Sequence, residues 1–537
     1  MARIELVRNG GYLWYHDQFI SVKGIIFDQN NKLYTDEKLL DYFKGIQNDK
    51  DFRKKINQIS GIFTVIIKKE NNIYIASDTS RAFPLYYKTS SNNLLISDDI
   101  SVILQESKQT ICKISEISFL DTGHTLGKNT LFENIFQTQS NEILIFERNK
   151  VLESSFYFGT IVQKFNKEDL TSSIELGRTT FDQVFKKWTK SLEKNQVVVP
   201  LSGGFDSRLI TSMLKKFNHP DVLCYTYGKK NNIEVKHAKN TAKQLGFKWV
   251  FIEYNTELIK DYLSSSTFLN YCHYTGSYSN MPFLQEYFAV KYLKEKNIIK
   301  NNAIFVPGHC GDALGGSRHN IVIPSDLTSK NVAESIYKAR FKKNYKYSSL
   351  LIEKISEQLD EYSKNFKSTE PISVFEDFDN KDRYTKLVFN TSNVYNYFGY
   401  KHIFPLWDKE LLRFFMDISP KAKKNNLLYN TILKKYYFIP YDISFDKELH
   451  PNKTRVQIQK AKNFIKKLLP VSILNYILRN KKQEDPLNLE EITKSMVEYL
   501  KKNNFFDSNK NIRYNDIITN WYLKYSHNSL KDEHQIN

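Results

Sequence analysis

Apolar and polar positions divide the chain into two differently patterned stretches. Up to about residue 165, short runs of β-branched and aromatic residues follow closely on one another. They are Gly61–Ile67, then Ile73–Asp78 after a turn at Asn71-Asn72, then Pro84–Tyr87 and Leu94–Asp98. Such runs, separated by turn signals, predict an antiparallel, sheet-rich unit. From about residue 170 the pattern changes to strand and helix in alternation. Val197–Val199 precedes a helical pattern over Leu209–Phe217, and Val222–Tyr227 is the next strand. A helix carrying Glu234, Ala238 and Ala242 ends at Leu245-Gly246, and Trp249–Ile252 follows as a third strand. Alternation of this kind predicts a parallel sheet covered by helices. At 537 residues the chain exceeds one ordinary core, and the change of pattern divides it into 1–165 and 170–537.

The most informative local signal joins the first of those parallel strands to its helix. Val197-Val198-Val199-Pro200-Leu201 runs into Ser202-Gly203-Gly204-Phe205-Asp206-Ser207, and the apolar helical pattern follows. That reads as strand, anion-binding loop, helix. Two glycines permit positive φ and remove Cβ atoms that would block an anion. Free N–H groups at a helix start, with the helix dipole behind them, attract phosphate. Asp206 adds a carboxylate beside the phosphates, where a magnesium ion needs an oxygen ligand. Leu201, Ser202, Gly203, Gly204, Asp206 and Ser207 are therefore candidates for holding the phosphates of ATP. A plain β–α turn is the bland alternative, and the full motif after three valines is far more specific than a Gly-Gly pair. No lysine follows the second glycine, which excludes a Gly-Lys-Ser P-loop. A second glycine-rich stretch, Ile304 to Gly316, again follows a strand pattern and contains Gly308, His309 and Asp312.

Composition narrows the class. Hydrophobic residues make up 41% and charged residues 26%, as in a soluble globular protein. Cys112, Cys224, Cys272 and Cys310 are scattered, so neither a disulfide framework nor a zinc site is expected, and a reducing cytoplasm is the default. The chain has no apolar run long enough to span a membrane and starts without a signal-peptide pattern. The net charge of +19 is sharpest near the C-terminus, where no acidic residue lies between Lys453 and Lys482. With no nucleic-acid motif beside it, this basic stretch reads first as a solvated helix and next as a site facing an acidic substrate.

The motifs resemble a known family in order along the chain. Gly61-x-Phe63, Ala76-Ser77-Asp78-x-x-Arg81, Pro84-Leu85-Tyr86-Tyr87 and Ile96-Ser97-Asp98 are similar to the glutamine amidotransferase domain of class B asparagine synthetases. Ser202–Ser207 resembles their pyrophosphatase-type loop. Gly308–Gly316 resembles their Gly-Glu-Gly-x-Asp-Glu segment, and Phe404-Pro405-Leu406-Trp407-Asp408 their Pro-Phe-Leu-Asp. The implied fold is α/β. An N-terminal antiparallel Ntn-hydrolase-like sheet domain precedes a C-terminal adenine-nucleotide α-hydrolase-like (PP-loop) domain with a parallel sheet. The implied cofactors are ATP and Mg2+, with Asp206 and Asp312 as metal ligands. Thr226 and Tyr227 would lie against adenosine, Gly308 would belong to the nucleotide site, and Asp382-Arg383 would open the helix before Phe404. A lysine from a C-terminal loop would support adenylation, with Lys453 the first candidate and Lys447 the second.

Departures from the pattern carry as much as the matches. The family's glutaminase uses a cysteine at residue 2; here Ala2 stands there, and no cysteine precedes Cys112. The domain is therefore expected to keep its fold without hydrolysing glutamine. His309 stands where asparagine synthetases have Glu and the related β-lactam synthetases a Tyr that helps deprotonate the amine. A histidine there would serve as a general base, or be a structural residue. Ala313 replaces the second Glu, and Lys401-His402-Ile403 replaces the usual Glu-Ala-Arg.

The resemblance implies an AMP-forming, amide-bond ligase whose amine does not come from glutamine. That amine would be intramolecular, as in β-lactam synthetases and lasso-peptide macrolactam synthetases, or a second small-molecule, peptide or sugar substrate. Asparagine synthetase-like amidation with free ammonia, and a silent nucleotide-binding scaffold, stay open as alternatives. A homodimer is open as well.

Overall fold

The computed structural model describes residues 2–90, 93–106, 109–166, 169–318, 321–341, 345–362, 368–443, 485–503 and 513–533. Its first stretch is built from two stacked sheets. The larger has the strand order Lys150–Phe156, Glu142–Glu147, Asn72–Ser77, Ser60–Lys69, Ile20–Phe27, Trp14–His16, with Leu33–Thr35 also paired to Ile20–Phe27. All its pairings are antiparallel. The smaller runs Ala2–Glu5, Leu94–Ser97, Tyr86–Thr89, Phe136–Gln137. It contains one parallel pair, Ala2–Glu5 with Leu94–Ser97.

Period-two alternation decides what each face buries. In Ser60–Lys69, Val65 and Ile67 face helices Lys38–Phe43 and Asp49–Asn57. Ile66 faces the other way, where it meets Leu85, Tyr87 and Ile96 between the sheets. Helices Ile100–Leu104 and Lys113–Thr122 cover the smaller sheet through Ile103 and Phe119. The result is the helix–sheet–sheet–helix layering expected of an Ntn-hydrolase-like unit. These helices run only 5 to 10 residues, too short for a 3.6-residue period to stand out, so the sequence pattern named only the strands.

The second stretch holds a five-stranded sheet in the order Lys248–Glu253, Val222–Gly228, Val197–Pro200, Ile304–Phe305, Lys401–His402. Every pairing is parallel. Its central strand is buried on both sides, which is why it reads as a continuous valine run. Val197 and Val199 pack under helices Leu170–Leu192, Phe205–Lys216 and Ile233–Leu245. Val198 packs on the opposite side with Phe268 and Phe288 from helices Ser266–Gly276 and Tyr287–Glu295. Gly246 closes helix Ile233–Leu245 at φ +74°, a conformation that costs glycine little.

Buried polar contacts lock the two stretches together. Tyr12 donates to the His402 carbonyl at 2.7 Å, Trp407 Nε1 to the Thr79 carbonyl at 3.1 Å and Lys409 Nζ to the Ile59 carbonyl at 2.9 Å. Asp382-Arg383 does not open a helix. It lies inside a continuous segment in which helix Pro371–Asp379 widens into a π-helix over Asn380–Val388. Asp382 there accepts from Lys386 at 2.6 Å and from the Gly127 N–H at 2.9 Å, tying that helix to the first stretch. Among the described residues no helix is long and apolar enough to cross a membrane.

Candidate active site

A cavity of about 520 Å3 opens at the C-terminal edge of the parallel sheet, the position where open α/β sheets bind ligands. Ser202, Gly204, Asp206, Ser207, Tyr227, Gly308, His309 and Asp312 line it. Of the residues read from the sequence as holding phosphate or adenosine, Leu201, Gly203 and Thr226 do not. Leu201 is buried in the core. Thr226 donates to the Leu201 carbonyl at 2.7 Å and accepts from Trp249 Nε1 at 3.0 Å, so it braces the loop from beneath. Gly203 packs beside Glu234, and its carbonyl accepts from Arg208 at 2.9 Å.

Hydroxyls shape the loop from inside. The Ser202 N–H donates to Ser207 Oγ at 3.0 Å, and the Gly204 N–H donates to Ser202 Oγ at 3.1 Å. Gly204 is the N-cap of helix Phe205–Lys216 and supplies no side-chain acceptor to it. The first N–H groups of that helix therefore start in the cavity wall, where an anion would meet them. The expectation of positive φ is corrected here. Gly204 has φ −80°, and Gly203 is not among the positive-φ glycines. Their contribution is the missing Cβ alone.

Glycines bring the two loops together. A Cβ on Gly308 would stand 2.5 Å from the Ser207 nitrogen, and one on Gly311 would stand 2.1 Å from Tyr429 Oη and 2.5 Å from Asp206 Cγ. This close approach sets Asp312 beside Asp206, whose Oδ2 accepts from the Asp312 N–H at 3.1 Å. Tyr429 donates to Asp206 Oδ1 at 2.8 Å. Burial, followed by the negative charge of Asp312, pushes the Asp206 carboxyl up to about 6. Two neighbouring carboxylates beside an anion-binding helix start fit a hard, oxygen-seeking divalent ion such as Mg2+. Within the second loop, Cys310 takes the left-handed conformation at φ +68°, unusual for a side-chain-bearing residue.

His309 is half-buried between the rings of Phe389 and Phe404, at centroid distances of 6.5 and 6.0 Å. Desolvation lowers its pKa to about 4, so it is neutral at physiological pH. Thr391 Oγ1 gives its proton to the Val388 carbonyl at 2.6 Å and stands 3.1 Å from His309 Nε2. With that proton committed, Thr391 is assigned as the acceptor of Nε2–H, which leaves Nδ1 unprotonated. Tyr227 stacks on Tyr254, with centroids 5.2 Å apart and an angle of 19°.

Tyr429, Thr391 and Glu286 are site residues that sequence reasoning missed. Each lies far along the chain from what it touches, and no local motif marks it. Lys453, Lys447 and the basic stretch from 453 to 482 lie outside the described residues.

The family model described as asparagine synthase matches residues 189–437, a span that contains all five parallel strands, both glycine-rich loops and Tyr429. No curated protein sequence matches. Solved structures that match include the NH3-dependent NAD synthetase of Campylobacter jejuni, at 14% identity over 36% of this chain and 96% of that one, with a TM-score of 0.21. A U34-tRNA thiolase of Methanococcus maripaludis matches at 12% identity over 58% of this chain and 82% of its own, with a TM-score of 0.20. The glutamine phosphoribosylpyrophosphate amidotransferase of B. subtilis matches at 10% identity over 57% and 59%, with a TM-score of 0.18. Scores this low do not by themselves establish a shared fold. The family match rests on the sequence of the segment that builds the cavity: residues 189–437 match the asparagine synthase model.

Proposed function

We propose that the chain is a cytoplasmic, ATP-dependent ligase that adenylates a substrate carboxylate, releases pyrophosphate and passes the acyl group to an amine from a source other than glutamine. The observation that carries this reading is the pairing of Asp206 and Asp312 across two glycine-rich loops at an uncapped helix start. Residues 1–165 would be the supporting unit and residues 170–537 the synthetase. The N–H groups opening helix Phe205–Lys216 would hold the phosphates, and Tyr227 would flank the adenosine. Asp206 and Asp312 would hold Mg2+, which when bound neutralises charge on the triphosphate. A carboxylate oxygen attacks the α-phosphorus and pyrophosphate leaves. An amine then attacks the acyl carbon and AMP leaves, with His309 in the cavity wall as the group that takes a proton.

ATP–pyrophosphate exchange tests the reading. Exchange that depends on one member of a panel of amino acids, uronic acids and peptides supports it. Neither exchange nor nucleotide binding would favour a scaffold. Replacing His309 with Ala is expected to slow amide formation by about 100-fold while exchange persists. Equal loss of both steps would remove the base role.

Ala2 opens a strand paired to Leu94–Ser97 and packs against the core between the sheets with a methyl group only. Incubation with glutamine is expected to release no glutamate above the uncatalysed background; measurable release would restore the glutaminase reading.

A further inference from the structure

Glu286 stands immediately before helix Tyr287–Glu295 and lines the same cavity as Asp206, Asp312 and His309. It is only 3% exposed. Tyr225 donates to its Oε1, and Tyr395 donates to its Oε2 at 3.0 Å. Among the described residues it forms no ion pair. Elsewhere in this fold buried carboxylates have cations: Asp408 pairs with Lys187, Asp382 with Lys386 and Glu376 with Lys423. Among the described residues Asp78, Asp98 and Glu142 form no ion pair either, but they accept backbone N–H groups and line neither this cavity nor the one beside Asp382. Among the described residues Glu286 alone combines burial, two phenol donors, no ion pair and an open face on the site. Leaving such a carboxylate uncompensated is costly, and burial holds its pKa up to about 7.

One helical segment connects Glu286 to His309. Thr391 and Tyr395 lie four residues apart on the consecutive turns Phe389–Ser392 and Asn393–Tyr397, and so share a face. Thr391 holds His309, and Tyr395 holds Glu286. From the other side, Tyr225 fixes Glu286 to the strand Val222–Gly228. The carboxylate is thus suspended between the nucleotide strand and the wall that carries His309.

We propose that Glu286 is the receiving group for the amine substrate, binding it as an alkylammonium ion and taking its first proton. This rests on the ligase reading above. The ammonium gives one proton to the Glu286 carboxylate, and the freed nitrogen lone pair forms the C–N bond at the acyl carbon. The bond from that carbon to the AMP oxygen breaks, and AMP leaves with the electron pair. The second nitrogen proton passes to the neutral His309 imidazole. The aromatic wall at Phe283 suits a cation carrying an alkyl chain.

Glu286→Gln keeps the size of the side chain and removes the charge. The test compares two probe nucleophiles on the acyl-adenylate, methylammonium and hydroxylamine, the second being neutral at pH 7. In Glu286→Gln the ratio of methylamide to hydroxamate formation is expected to fall by about 100-fold against wild type. An unchanged ratio, or a matching loss in ATP–pyrophosphate exchange, would overturn the proposal. Absence of exchange in wild type would count against the ligase reading instead. For that case a binding readout stands alone: methylammonium chloride raises the melting temperature of wild type more than that of Glu286→Gln. Equal shifts in the two proteins overturn the amine site.

Discussion

Asp206→Asn is expected to reduce carboxylate-dependent ATP–pyrophosphate exchange by about 1000-fold, equivalent to about 4 kcal/mol, while stabilising the ligand-free protein at neutral pH. The loss follows from removing half of the paired carboxylates that face the phosphate-binding helix. The stabilisation follows from the sign of the pKa shift. Asp206 is raised from 3.8 to about 6 by burial and by Asp312. A raised carboxyl pKa favours the fold below about pH 4, and that preference is lost as the pH rises through about 6. At pH 7.5 the ionised group opposes folding by on the order of 2 to 3 kcal/mol. Asparagine removes this term and forfeits one of the two hydrogen bonds from Tyr429 and the Asp312 N–H, about 1 kcal/mol. Chemical denaturation should therefore show the variant more stable by on the order of 1 kcal/mol at pH 7.5, with the gain vanishing by pH 4. A variant less stable at every pH would show that Asp206 is a structural residue. In the wild type, Mg2+-dependent nucleotide affinity should fall as the pH drops through about 6, where Asp206 takes up a proton.

Gly308→Ala is expected to cut exchange by about 100-fold, because a shift near 1 Å in reacting groups costs about that much. The added Cβ would lie 2.5 Å from the Ser207 nitrogen and 2.8 Å from Asp206 carbon and Ser207 Cα. All three are backbone atoms at the first turn of the phosphate-binding helix, so no rotamer change relieves the clash. Either the helix start or the second loop must move, and the Asp206–Asp312 pairing moves with it. Overpacking of this kind also destabilises by about 1 to 3 kcal/mol. Gly203→Ala provides the comparison. Its Cβ would meet the Glu234 side chain at 3.3 Å, a contact that can yield. Steady-state exchange should rank wild type above Gly203→Ala and both above Gly308→Ala. The reverse order of the two variants would mean that the loops do not work as one site.

The sequence revealed whatever was contiguous. Ser202 to Ser207 lies between a strand buried on both sides and an amphipathic helix, so its type and position follow from local pattern. Gly246 announced the end of its helix in the same way. What the pattern could not convey was direction. Thr226 and Tyr227 are neighbours, yet strand alternation sends Tyr227 to the cavity and Thr226 beneath the loop. Nor could it convey distant partners. Tyr429 reaches Asp206 across 223 positions and Tyr395 reaches Glu286 across 109. Tyrosine and glutamate are too common for either pairing to stand out beforehand. Of the two roles read for the loop glycines, the positive φ fails for a related reason and the missing Cβ stands. Positive φ is glycine's usual signature, whereas Gly203 and Gly204 matter for the Cβ they lack, and the left-handed position falls on Cys310.

Binding of MgATP to the substrate-free protein tests the central claim most directly. Equilibrium dialysis with labelled ATP should give one saturable, Mg2+-dependent site per chain, displaced by pyrophosphate and lost in Asp206→Asn. No saturable binding, or binding indifferent to both pyrophosphate and Asp206→Asn, would contradict the assignment of this cavity.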